Sequence, residues 1–304
     1  MPLLQLDQIE WLYRRKTDEV TALCIVLWRL SWPSRWGSAC ELFHHEVGWL
    51  SAIWIRVIKY LTGRYRSKLA WDERLTVTQI QVFVSLLEDR GCAPGIWGFI
   101  DGTFIETARP GDGQVHDQQE LYNGHHHAHG VVFQGVVTPD GLISSLAGPY
   151  EGRANDMQIL LESGLPDRLE NLLGHLPLED RPHLFGDRGY MAGRFWGITA
   201  SFKKDRNKEL SLTEKRANLY MSTYRVSVEH GFGWVQSNFP YIGARKMIRT
   251  GLTPVGSMYL VACLLANCLT CLRMNQISLY YRVLPPLLED YLELGGDEVD
   301  EEDV

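Results

Sequence analysis

Cysteine is scarce in this chain: six residues in 304, at positions 24, 40, 92, 263, 268 and 271. They form no dense framework of the kind that staples small secreted domains, and no secretory signal is visible, so a reducing compartment is expected. No apolar run reaches membrane length. The longest, Met258 to Leu272, is about 15 residues, carries Asn267 and Thr270, and falls short of the ~20 that a span needs. It reads as a buried helix, with Cys268-x-x-Cys271 as core thiols rather than half a zinc site, since no second pair is near. No membrane partner is expected. Internal repeats are absent, and Gly111-x-Gly113 lacks the rest of a phosphate-loop motif.

Lys and Arg are missing from Glu289 to Val304, where nine acids gather. Removing those nine from the 37 acids of the chain leaves 28 against 30 bases, so the overall charge of −7 hides a body at +2. Within that body Arg56, Lys59, Arg64, Arg66 and Lys68 form a basic stretch with no acid between them, and Lys203 to Arg249 holds ten bases and four acids. A basic body with an acidic tail fits a nucleic-acid partner, although solvated surface charge produces the same pattern. With 45% hydrophobic and 22% charged residues the chain is globular and long enough to bury a large core.

Three segments are expected. Residues 1–93 read as helical: spaced apolar positions from Leu6 to Leu30, a break at Trp32-Pro33-Ser34, then Ala39 to His45 and Leu50 to Leu61 around a Gly-containing turn. That pair has a helix-turn-helix outline, with Ser51 to Tyr60 as its second helix and Arg56 and Lys59 one turn apart on it. Thr76 to Glu88 is a further amphipathic helix. After the breaker Gly91-Cys92-Ala93-Pro94-Gly95 the texture changes. Ile96 to Ile100 is a short apolar strand ending at Asp101-Gly102-Thr103. His126 to Val137 and Leu142 to Ala147 flank the turn Thr138-Pro139-Asp140-Gly141, a hairpin signature. Asn155 or Asp156 caps a helix running to about Leu161. His183 to Asp187 is another strand, and Thr213 to Asn238 and Gly256 to Asn275 are helices. Residues 94–288 therefore form a mixed α/β domain, and 289–304 an acidic tail.

Asp101 and Asp187 end short apolar strands, the edge at which ligands bind in open α/β sheets. Glu229 lies mid-helix between the apolar Val226, Val228 and Phe232, with Arg225 one turn before it on the same face. Converging carboxylates repel one another unless a divalent cation lies between them, and hard cations such as Mg²⁺ take oxygen ligands. The bland alternatives are turn-forming aspartates and a plain i,i+4 pair. In His125-His126-His127-Ala128-His129, positions 125, 127 and 129 alternate onto one strand face and could hold zinc; a strand whose imidazoles meet solvent or phosphate is the favoured reading.

Six blocks in order resemble the Harbinger-type (PIF/Harbinger) transposases, DDE superfamily endonucleases with an RNase H-like core. They are Leu30-Ser31-Trp32-Pro33-Ser34-Arg35, Ile100-Asp101-Gly102-Thr103, Gln119 to His125, Gly148 to Asp156, Phe185-Gly186-Asp187-Arg188-Gly189-Tyr190, and the helix carrying Asn218, Met221, Ser222, Arg225, Val228, Glu229, Phe232 and Gly233. They cover about residues 20–275. The resemblance implies an RNase H-like mixed sheet flanked by helices behind a helix-turn-helix-like domain. It implies Asp101, Asp187 and Glu229 as a metal-binding triad for two Mg²⁺ or Mn²⁺ ions, with Asp156 and Arg225 accessory. Asp156 is an alternative middle member, but Asp187 is preferred because it ends a strand whereas Asp156 can be satisfied as a cap. The implied activity is metal-dependent cleavage of double-stranded DNA at transposon ends, followed by strand transfer from a freed 3′-hydroxyl. A Myb-like accessory protein and a nuclear location are implied with it, and a homodimer is one assembly left open. Arg56, Lys59, Arg64, Arg66, Lys68, Lys203, Lys204 and Arg206 are candidate phosphate contacts, and Arg245 with Lys246 a further basic pair. Two positions depart from the family: His126-His127 replace a basic pair and Asn155 replaces a His. The remaining alternatives are a domesticated, inactive DNA-binding or scaffold protein and a zinc hydrolase on the histidine run.

Overall fold

The computed structural model describes residues 2–11, 15–111, 118–202, 204 and 209–293. The N-terminal part contains helices α1 (Glu19–Ser31), α2 (Gly37–Phe43), α3 (Val47–Ala70) and α4 (Val77–Asp89). Strand β1 (Ile96–Glu106) follows, then α5 (Gln118–Leu121), β2 (Tyr122–Asn123), β3 (Ala128–Val137) and β4 (Ile143–Glu151). Helices α6 (Asp156–Glu162) and α7 (Leu165–Leu173) lead to β5 (His183–Gly186) and β6 (Ile198–Ala200). The chain ends in α8 (Leu212–Asn238), α9 (Val255–Arg273), α10 (Gln276–Tyr281) and α11 (Leu288–Leu292).

The sheet is mixed. β1 pairs antiparallel with β3 and parallel with β5; β6 runs parallel beside β5, while β4 and the short β2 both pair antiparallel with β3. This mixed sheet with helices on both faces is compatible with an RNase H-like arrangement. Neighbouring residues of β1 divide between two cores. Phe99 belongs to the one shared with α3, α8 and α9, and Ile100 to the one shared with α4, α6 and α7. Period-two alternation then puts Asp101 on the same face as Phe99, toward α8.

Helix α9 is the central strut. Nineteen residues long with mean hydropathy 1.9, it has the length and composition of a membrane span, yet 72% of that stretch is buried among α3, α8, α11 and β4. Its Asn267 accepts from the Ile143 amide and donates to the Tyr291 hydroxyl, so its polar interruptions are satisfied inside the fold. Cys268 is buried and unbridged, as a core thiol.

Several expectations need correction. Helix α1 begins at Glu19, capped by Asp18 through the Thr21 amide, because the chain upstream turns in a short 3-10 segment at Leu6–Gln8 instead of continuing a helix. β1 does not stop at Asp101: antiparallel pairing with β3 carries it on to Glu106. β3 starts at Ala128, because Asn123 accepts from the His125 and His126 amides and folds 124–127 into a turn. Residues 125, 127 and 129 therefore do not share a strand face. The last correction concerns capping: Asn155 alone caps α6, through the Gln158 amide, and Asp156 is the first residue inside the helix.

The N-terminal helices and the sheet share one hydrophobic core that runs from Leu4 to Leu292. Helices α2 and α3 meet across 44–46, and α3 extends well past Tyr60, burying Leu50, Ile53, Trp54, Val57, Ile58, Leu61 and Tyr65 against its neighbours. Arg29 locks this part to the rest. Its guanidinium lies 4.5 Å from the Trp36 ring and 4.0 Å from the Tyr241 ring, and donates to the Ser34 carbonyl and the Tyr241 hydroxyl, each at 2.6 Å. The first residues expected in the tail, through Leu292, belong to the packed body as α11, and Tyr291 is buried.

Candidate active site

The site forms where β5 stops and β1 continues. Gly186 is the last residue of β5, so Asp187 emerges beside the middle of β1, where Asp101 projects. Asp187 caps the 3-10 segment that follows, accepting from the Gly189 amide at 2.6 Å. Asp156 enters from the start of α6. Glycine stands on both sides of it: a Cβ on Gly102 would lie 3.0 Å from Asp156 Oδ1, and one on Gly189 would collide with Asp156 Oδ2 while standing 2.8 Å from Asp187 Oδ1.

The electrostatics follow from this crowding. Burial pushes the Asp101 carboxyl up to about 6; the Arg225 guanidinium and the Gly102 amide pull the other way, and Asp187 and Asp156 add to the rise. Asp156 is also raised, chiefly by burial and then by Asp187, with the His125 imidazole opposing. Three carboxyls thus share one pocket of surplus negative charge.

Glu229 reaches the site through an intermediary. Arg225 donates from Nη1 to Asp101 Oδ2 at 2.8 Å and from Nη2 to Glu229 Oε1 at 2.8 Å, so one guanidinium joins a sheet carboxylate to a helix carboxylate. Sequence spacing predicts the second contact and gives no sign of the first. Among the described residues, no three His, Cys, Asp or Glu side chains stand close enough to hold an ion as placed. In kind, the residues fit a divalent cation: all-oxygen donors, mutual repulsion that a cation relieves, and a cradle that a Cβ on Gly102 or Gly189 would invade.

Beneath the acids is a support that the sequence did not suggest. Gln134 on β3, opposite Gly102 in register, donates from Nε2 to the Asp156 carbonyl at 3.2 Å and to the Tyr190 hydroxyl at 3.0 Å. One buried amide thereby links the start of α6 to the turn after Asp187. Only Gln134's place in a strand, polar among apolar neighbours, hinted at it. Next to Asp187, Phe185 lines a cleft of about 500 Å³ between α8 and the β5–β6 end of the sheet, with Met191, Phe202 and Met221 also on its wall.

The expected phosphate contacts divide. Arg56 donates to the Glu10 carbonyl, Arg64 binds Gln5 and Gln8, and Lys68 is buried with its ammonium on the Glu293 carbonyl at 2.9 Å. Lys59 and Arg66 are exposed on α3. Lys204 pairs with Glu209 on the surface, and Arg245 pairs with Glu106 at 2.8 Å; Lys203 and Arg206 lie outside the described residues.

A family model for a DDE superfamily endonuclease matches residues 100–267, more than half of the chain, and takes in Asp101, Asp156, Asp187 and Glu229. The chain belongs to the DDE superfamily endonucleases. No curated protein and no solved structure matches it. Within this DDE endonuclease the family-matched segment begins inside β1 and ends inside α9, so it contains the acid site and most of the sheet.

Proposed function

We propose that this DDE endonuclease is of the Harbinger type and hydrolyses phosphodiester bonds of double-stranded DNA with Mg²⁺ or Mn²⁺, as a transposase that cuts element ends and transfers the freed 3′-hydroxyl to target DNA. The observation that carries the proposal is the meeting of Asp101, Asp156 and Asp187 at the β1–β5 junction, with Glu229 tied to Asp101 by Arg225. The six sequence blocks support the subtype.

In this reading Asp101, Asp187 and Glu229 would hold two divalent ions, with Asp156 as the accessory acid. Bound there, the ions would supply an activated water and neutralise charge that develops on the phosphate. The protein's own part is orientation. Asp101 is fixed by the Gly102 amide at 2.9 Å, Asp187 by Gly189, and Asp156 by the Gln134 clamp on its backbone. Lys59, Arg66 and Lys204, with Lys203 and Arg206, are the cations offered to backbone phosphates, and the α2–α3 turn is the segment offered to DNA as a helix-turn-helix. The Myb-like partner, the nuclear location and a homodimer rest on the resemblance alone.

The test is nicking of supercoiled plasmid in Mn²⁺ by wild type and by Glu229→Gln. Nicking by wild type that Glu229→Gln loses supports the reading. No nicking by either, or equal nicking by both, contradicts it.

A further inference from the structure

Arg225 occupies an unusual place. Its guanidinium spans two carboxylates that belong to different elements, Asp101 on β1 and Glu229 on α8, with both contacts at 2.8 Å. The second oxygen of Asp101 accepts from the Gly102 amide. Toward α8, then, one oxygen of each carboxylate, Asp101 Oδ2 and Glu229 Oε1, is engaged by a side chain of the same protein. The Arg225 side chain is 26% exposed and that of Asp101 20%, whereas Glu229 at the other end of the bridge is 51% exposed. At the Asp101 end attraction between unlike charges is screened less than at the surface, and so is repulsion between the guanidinium and an incoming dication.

Resting on the metal-site reading given above, we infer that Arg225 is an internal counter-cation that competes with metal: it closes the space between Asp101 and Glu229 in the metal-free protein, and a divalent ion enters only as its guanidinium leaves. The two cations compete for the gap between Asp101 and Glu229, because the guanidinium fills it and repels a second positive charge. Arg225 uses the fork geometry that lets one guanidinium satisfy two oxygens, while a hard cation needs those oxygens at direct ligand distance. Two consequences follow. In the metal-free protein a covalently attached charge ties Asp101 to Glu229 and eases the repulsion among the crowded carboxylates. The same charge lowers the apparent metal affinity, because the ion binds the fraction of molecules from which the arginine has withdrawn. Metal uptake and release of Arg225 are then one linked event.

The experiment is Mn²⁺ calorimetry on the full chain as wild type, Arg225→Met and Arg225→Lys, with circular dichroism to establish that each is folded and thermal melting with and without metal. Arg225→Met should bind Mn²⁺ about tenfold more tightly or better, melt lower without metal, and gain more melting temperature from it. Arg225→Lys keeps the charge but loses the fork, and should fall between the two. It also stands in for the Met variant if that chain does not fold. If wild type binds Mn²⁺ and the folded variants bind equally or more weakly, Arg225 positions Glu229 rather than competing with metal, and the inference is overturned while the metal site stands. If neither wild type nor variants bind Mn²⁺, the metal-site reading falls and takes the inference with it.

Discussion

Gly189 and Asp156 are in such close approach that a Cβ on Gly189 would strike Asp156 Oδ2 and lie 2.8 Å from Asp187 Oδ1, so both carboxylate ends would have to turn aside. The glycine after the second strand acid is therefore a spacer that allows two carboxyls from separate elements to face one another. Gly189→Ala should push Asp156 and Asp187 apart. The expected result is Mn²⁺ affinity reduced at least tenfold with stability little changed, because Gly189 is exposed and the groups displaced are carboxylate ends that can rotate. Calorimetry and chemical denaturation on the variant check both.

The raised carboxyl of Asp101 makes a prediction about pH. Its value of about 6 in the folded protein lies above the ordinary 3.8, so between these values the folded state binds the proton more tightly than the unfolded state does. The contribution to stability is present below about pH 4 and is lost as pH rises toward and through 6. The loss amounts to about 2–3 kcal/mol across that window in metal-free protein. Other carboxylates titrate in the same range, so the measurement is the difference between wild type and Asp101→Asn by denaturant melts from pH 4 to 7. The Asn variant should gain on wild type as pH rises; a difference that stays constant contradicts the account.

Arg29 predicts a different kind of loss. Stacked between Trp36 and Tyr241 and 8% exposed, it joins α1 to the turn after α8. Arg29→Ala removes two hydrogen bonds and two ring contacts and should cost roughly 2–4 kcal/mol, with Mn²⁺ affinity per folded molecule unchanged. Arg29→Lys should recover little, because an ammonium cannot lie flat between two rings. Urea midpoints of the two variants decide the matter.

The basic stretch of α3 splits into two testable halves. Lys59 and Arg66 are exposed, so Lys59→Ala with Arg66→Ala should weaken duplex binding and reduce the salt slope by about 2, with stability unchanged. Lys68→Ala should do the reverse: it strips the Glu293 carbonyl and the Tyr291 ring of a buried cation, and should lower the melting temperature without changing the salt slope. Filter binding across a salt series, beside melting curves, separates them.

Much of the architecture was legible because it follows from local rules. Apolar runs bounded by turn residues marked β1, β3 and β5, and the acids on β1 and just after β5 marked the candidate site. Ser211 and Thr76 head helices close to where capping residues should. What was not legible depended on partners distant in sequence. Gly102-Thr103 looked like the end of a strand because the sequence does not display the pairing with β3 that keeps β1 extended. Asp156 looked like a cap because Asn155 and Asp156 are both good capping residues, and only the backbone decides between neighbours. Arg56, Arg64 and Lys68 read as free charge until their acceptors at Gln5, Gln8, Glu10 and Glu293 were placed against them. The Arg225–Asp101 contact joins residues 124 positions apart, which no periodicity reveals.

The central claim is that these carboxylates assemble a divalent-metal site, and titration of Mn²⁺ into wild type and Asp187→Asn, followed by calorimetry and melting, tests it without knowledge of the DNA sequence recognised. Wild type should bind Mn²⁺ and melt higher with it. Asp187→Asn should bind weakly yet melt no lower in the absence of metal, since one of three crowded like charges is gone. Indifference of both proteins to Mn²⁺, or equal binding by both, would contradict the account.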